Sequence, residues 1–194
     1  MKSSTFFIVI FSVLYGGTVR AAGIEMHTLM QFLAENKNIK SEFVERKFLR
    51  VLDQPVESSG ELIFQAPQRL EKNTKLPRAE RLLIEGNRVA IERGSFKRSL
   101  ALDEFAEIGS MVQSLTSTFR GDQLGIEKYF AWTLSGSESK WYLVLKPKEG
   151  KLFPTLREIR MSGESNYVHT VETSLADGDR SLMTMGRPVK ISPP

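Results

Sequence analysis

The chain has 194 residues, 41% hydrophobic and 26% charged, enough for one domain with a sizeable core. A formal charge of +4 is too small for the electrostatic footprint of a nucleic-acid binder. Zero cysteines and two histidines, His27 and His169, rule out a disulfide framework and leave too few ligands for an ordinary zinc site.

The first element reads as a leader. Met1-Lys2 is followed by the short apolar run FFIVIFSVLY (6–15), and Val19-Arg20-Ala21 has the small-x-small pattern of a cleavage site. The run is too short to span a membrane comfortably, and Gly16-Gly17 interrupts it. Residues 1–21 are therefore expected to be a secretory signal peptide; the competing reading is a retained anchor helix. Cleavage would remove Lys2 and Arg20 and no acid, leaving 25 basic and 23 acidic residues. With no cysteine to carry a lipid, the expected product is a soluble periplasmic protein, and we expect a monomer.

Residues 24–36 read as a helix with Met26, Leu29, Met30 and Leu33 on one face. SEFVERKFLRVL (41–52) reads as a long strand, with Phe43, Glu45 and Lys47 on one face. After the turn Asp53-Gln54-Pro55 comes a strand in which Leu62 and Phe64 share a face, and Pro67 ends it. Further strands are expected at 69–74, 81–85 and 88–93, the last two joined by the hairpin pair Gly86-Asn87. From 103 to 119 the period changes: Phe105, Ile108, Val112, Leu115 and Phe119 predict an amphipathic helix, broken by Gly121-Asp122. Strands resume at 129–134 and 141–146, joined across Gly136-Ser137, then at 156–162, 167–172 and 181–185. Asp177-Gly178-Asp179 makes the last turn, and residues 187–194 are expected to be a flexible tail. The tally is nine or ten strands with hairpin-length links. This is a mainly β fold, one strongly curved antiparallel sheet with two helices on its concave side.

Familiar catalytic signatures are missing: there is no G-x-S-x-G elbow, P-loop or G-x-G-x-x-G. His169 lies mid-strand and His27 in the first helix; both read as ordinary surface or hydrogen-bonded residues. The acid pairs Glu42/Glu45 and Glu104/Glu107 are the available acid–base partners, and they read more simply as surface charge. Binding without catalysis leads by elimination.

Local patterns then carry a resemblance. FVERK (43–47), SGELIFQAP (59–67), the extended piece after Pro67 and IEGNRV (84–89), in this order and spacing, resemble the LolA-type outer-membrane lipoprotein carriers from about residue 24 to 185. An offshoot of that family is more similar still, in PQRLEKNT (67–74) and the pair Gly121-Asp122. The resemblance implies an incomplete antiparallel β-barrel, a half-barrel, with an α-helical lid over an apolar cavity. Residues 22–186 would be the lipid-binding domain. The implied function is a periplasmic carrier that shuttles lipoprotein acyl chains towards the outer membrane, without enzymatic chemistry or cofactor. Its partners would be the acyl chains, an inner-membrane releasing complex and an outer-membrane acceptor. Two other readings keep the fold: a carrier of another acylated or polyene-type product, and a periplasmic sensor or interaction module. One position departs from the family: an arginine that pins its lid is here Ala66.

The residues expected to line the cavity are Phe43, Leu62, Phe64 and Leu70 on strands, and Leu29, Leu33, Ile108, Val112 and Leu115 on helices. A slip of one residue in strand register would invert the strand set. Phe64→Glu is expected to keep the fold and weaken lipid uptake. Met26, Met30 and Met111 suit either an adaptable lid or ordinary core filling.

Overall fold

The computed structural model describes residues 23–102, 112, 116–148 and 154–192. An N-terminal helix, Met26–Ala34, precedes strands β1 (Asn38–Phe48), β2 (Val56–Gln65), β3 (Arg69–Leu76), β4 (Glu80–Glu85), β5 (Arg88–Arg93) and β6 (Phe96–Ala101). Helical residues follow at 112 and 116–120, then a short helix, Gln123–Glu127. The chain closes with β7 (Phe130–Ser137), β8 (Lys140–Pro147), β9 (Leu156–Glu164), β10 (Tyr167–Leu175), β11 (Arg180–Met185) and β12 (Val189–Lys190).

All twelve strands belong to one sheet in the order β6-β5-β4-β3-β2-β1-β11-β10-β9-β8-β7, with β12 beside β1. Every pairing is antiparallel, and β6 and β7 remain as separate edges. The result is an open half-barrel. The two halves of the sheet join where β1 pairs with β11, Phe43 opposite Met185.

The expected turns at Gly86-Asn87 and 177–179 are present, the latter closed by the Asp179 amide donating to Asp177 Oδ1 at 3.0 Å. Four details differ from the sequence reading. Among the described residues twelve strands form rather than nine or ten. The unanticipated β6, FKRSLA, has no clean alternation; it forms because Gly94, at φ +58, turns the chain back onto β5. The β7–β8 turn lies at 138–139, since Gly136 still pairs with Trp141. Val189 and Lys190 pair with Lys40 and Ile39, so part of the expected tail is strand.

The N-terminal helix buries Met26, Leu29, Met30 and Leu33 against the sheet. Here the concave face is solid: Trp141, Leu143 and Leu145 of β8, Ile159 of β9, Phe130 and Ile126 are all 0% exposed. The Ile24 amide donates to the Gly136 carbonyl at 3.2 Å, tying the helix entry to β7. Gly121 holds the other end. Its φ is +69, and a Cβ there would stand 2.1 Å from the Met30 carbonyl oxygen, so the end of the central helix sits directly on the N-terminal one. Asp122 then caps the short helix, its Oδ1 accepting from the Gly125 amide at 2.9 Å.

Candidate functional cavity

On the other half of the concave face the helical residues meet the sheet where Phe119 packs on Phe64. A cavity of about 390 Å³ lies between sheet and helical residues. Alternate residues of each strand supply its walls, because only every second side chain faces inward. These are Leu62 of β2, Leu70 of β3, Leu82 and Ile84 of β4, Val171 and Leu175 of β10, and Met183 and Met185 of β11. Val112 and Phe119 face them from the helical side.

The walls are not wholly apolar. Glu45 of β1 and Lys72 of β3 line the cavity together, Lys72 Nζ standing 2.5 Å from Glu45 Oε2. The Glu45 side chain is 7% exposed and that of Lys72 19%. Lys72 Nζ also lies 4.9 Å from the centre of the Phe43 ring, which shares its charge over the ring face. Lys47, 3.9 Å from the same carboxylate, and Asp179 and Arg180 bring more charge to the wall where β1 and β11 run out. The opposite face of β3 carries a separate cluster. Arg81 donates to both oxygens of Glu71 at 2.8 and 3.1 Å, and Asn73 and Arg69 add further bonds. The Arg81 hydrogen bonds, outweighing burial, bring the Glu71 carboxyl down to about 2.

Of the residues expected to line a cavity, Leu62, Leu70 and Val112 do so. Phe64 sits beside it, 2% exposed, with its ring 6.0 Å from that of Phe119. Phe43, Leu29 and Leu33 belong to the packed core, with Met26 and Met30. Ile108, Leu115 and Met111, and the pair Glu104/Glu107, lie outside the described residues. The sequence reading did not single out Leu82, Ile84, Val171, Leu175, Met183 and Met185. Their strands carry the same alternation, but only the β1–β11 junction brings β10 and β11 opposite β3 and β4. Glu42 is exposed and Glu45 buried, on opposite faces of β1, so they form no acid–base pair. His169 is exposed and meets the Tyr167 hydroxyl at 3.1 Å. Among the described residues no three metal-ligating side chains converge, and no helix is long and apolar enough to cross a membrane.

A family model described as outer membrane lipoprotein carrier protein LolA-like matches residues 18–187. The chain belongs to this family. Comparison with curated proteins gives no match. Among solved structures, this LolA-like chain is similar to a LolA superfamily protein from Nitrosomonas europaea, at 8% identity, 88% of this chain and 96% of that one, TM-score 0.47. It is also similar to the MucA/MucB complex structure of Pseudomonas aeruginosa, at 12% identity, 88% and 59% coverage, TM-score 0.49. A third is LprF of Mycobacterium bovis, at 11% identity, 87% and 95% coverage, TM-score 0.35.

Ala66 is exposed, and its amide donates to the Lys37 carbonyl at 2.6 Å. Arg69, two residues beyond Pro67, bonds Glu71 and Glu85, each at 3.1 Å. The helical side is held by the Gly121–Met30 approach and the Phe64–Phe119 contact. Arg120 braces its end, bonding Ser117 and Asp122, each at 3.1 Å.

Proposed function

We propose that this LolA-like protein, directed to the periplasm by residues 1–21, binds acyl chains of lipoproteins and shuttles them towards the outer membrane. One observation carries the reading: an apolar cavity of about 390 Å³ between the half-barrel and its helices, in a chain whose family model spans 18–187. Each CH₂ taken from water contributes about 0.8 kcal/mol, so a dry wall of this kind holds hydrocarbon without any covalent step or cofactor. The volume is near the lower end for small-molecule sites. A larger cargo requires the helical side to move away, and its return competes with the cargo and assists release. The domain assignment 22–186 and the cavity residues Leu62, Leu70 and Val112 belong to this reading.

The test is release. The purified protein is incubated with inner-membrane vesicles carrying a radiolabelled lipoprotein, and soluble complex is measured. Absence of complex under every energisation condition would sink the proposal.

A second reading keeps the carrier and changes the cargo to another acylated or polyene-type product. The Glu45–Lys72 pair in the cavity wall favours it, because a plain hydrocarbon has no use for a charged pair there. So does Ala66, which marks a lid held differently from the family's own. Mass spectrometry of the ligand extracted from native protein separates the two.

A further inference from the structure

The two ends of the sheet differ sharply. At one end lie the turns 66–68, 86–87, 138–139 and 165–166; with their flanking residues, 65–69, 85–88, 137–140 and 164–167, they hold three basic and three acidic residues. At the other end lie the β1–β2 tip and the β3–β4 and β5–β6 turns. The segments 49–56, 75–80 and 93–98 there hold six basic residues and two acidic ones, Asp53 and Glu80.

Each of the three turns also projects apolar side chains. The β1–β2 tip presents Val51, 88% exposed, and Leu52, 49%. The β3 end presents Leu76, 64% exposed, between Lys75 and Arg78. The β5–β6 turn presents Phe96, 54% exposed, beside Lys97 and Arg98. Arg93 is tied across the sheet to Glu80, which sets the last two turns side by side. Arg50 anchors the tip: its amide donates to Asp179 Oδ1 at 2.9 Å and its guanidinium to the Asp177 carbonyl at 2.7 Å. The β10–β11 turn, at the same end, adds two acids: Asp179 Oδ1 accepts from the Arg50 amide and Asp177 Oδ1 from the Asp179 amide. Among the described residues no carboxylate pairs with Arg78 or Arg98.

The geometry points to this rim as a docking surface for an anionic phospholipid bilayer. Projecting apolar residues flanked by cations are what an interfacial membrane contact requires: the side chains enter the acyl boundary while Lys and Arg meet lipid phosphates. The tips are spread along four strand spacings, roughly 20 Å. They are separate points rather than the contiguous apolar core of a protein interface. A fluid bilayer accommodates each one singly. The cavity wall ends at this same rim, with Lys47, Leu49 and Arg180. Docking there brings the cavity beside the lipid phase, whatever the cargo. The inference goes beyond the carrier reading and is tested without any cargo.

The experiment is flotation of the purified protein, as processed by its host, with vesicles of phosphatidylcholine alone or mixed with phosphatidylglycerol. The expected result is binding to the mixed vesicles only, lost at 1 M salt, where screening shortens to about 3 Å. Arg78→Gln with Arg98→Gln should weaken partitioning about 25-fold, at roughly fivefold per cation. Leu76→Asp with Phe96→Asp should reduce it at least tenfold. Both pairs lie on exposed positions, and an unchanged thermal midpoint verifies folding. A control at the other end, Glu138→Gln, should bind as wild type. Binding that ignores lipid charge, no binding to either vesicle, or rim variants that float as well as wild type would each overturn the proposal. Capture only by vesicles carrying membrane proteins would do the same and assign the rim to a protein partner. Cavity variants report separately: Met183→Glu should lose acyl-probe uptake and keep flotation, so failure of the carrier reading leaves the rim result standing.

Discussion

One concave face carries two unlike halves. Under β7 to β9 the N-terminal helix fills the space completely, and Trp141, Leu143, Leu145 and Ile159 lose all contact with water. Across β1 to β4 and β11 the inward residues mix Leu62, Leu70 and Ile84, 6–8% exposed around a cavity, with the charged pair Glu45 and Lys72. That buried charge is one difference between the halves. The approach of the helices is another, drawn in tightly where Gly121 meets Met30. An apolar strand face is core or cavity according to what is placed over it.

The sharpest test of that contrast is a paired truncation. Leu143→Ala should cost about 3–4 kcal/mol, the usual range for a fully packed leucine. Leu62→Ala should cost about 1–2 kcal/mol, because it already borders a void and has fewer contacts to lose. Urea denaturation monitored by tryptophan fluorescence measures both; equal losses would break the comparison. Next is the charged pair. Lys72→Met leaves the Glu45 carboxylate, 7% exposed, without its partner and should cost about 3 kcal/mol. Adding Glu45→Gln should recover more than half of it, a coupling that a double-mutant cycle reads directly.

Gly121→Ala comes third. A methyl group 2.1 Å from the Met30 carbonyl, at φ +69, must push the helices apart and should lower stability by about 2 kcal/mol. If the approach also limits the cavity, acyl-probe affinity should change in the same variant. Fourth, Met183→Glu, at a partly buried wall position, should keep the fold and weaken uptake of a fluorescent fatty acid about tenfold. It replaces Phe64→Glu, because Phe64 packs on Phe119 at 2% exposure and a carboxylate there would strike the fold itself.

The smallest effect is in pH. Glu71 on the outer face has a folded-state pKa of about 2 against an ordinary 4.5. The folded protein therefore resists protonation more than the unfolded chain does. Its contribution is fully present above about pH 4.5 and is lost as pH falls towards 2. Glu71→Gln should remove on the order of 1 kcal/mol at pH 7 and much less at pH 2, measured by denaturation at the two pH values.

Much of the architecture was legible because it is local. Alternation in LIF (62–64) identified the inward pair Leu62 and Phe64, and Gly86-Asn87 and Asp177-Gly178-Asp179 marked turns that the structure contains. The break at Gly121-Asp122 was visible too, although not that it seats one helix on another. β6 was missed because FKRSLA has no alternation and exists through its hairpin with β5. β12 was missed because two residues following a proline become a strand only where β1 offers a free stretch.

By itself, then, the order of residues determined ten of the strands, their alternation, most of the connecting turns and the apolar stripe of the N-terminal helix. These depend on steric and hydrophobic periodicities that act over a few residues. Only the tertiary structure decided that β11 pairs with β1, bringing Val171, Leu175 and Met183 across from Leu70 and Leu82. It alone decided that Leu29 and Leu33 fill a core while Leu62 and Leu70 border a cavity. Hollowness is a relation between elements far apart in the chain, and no local pattern encodes the distance at which a helix stops above a sheet.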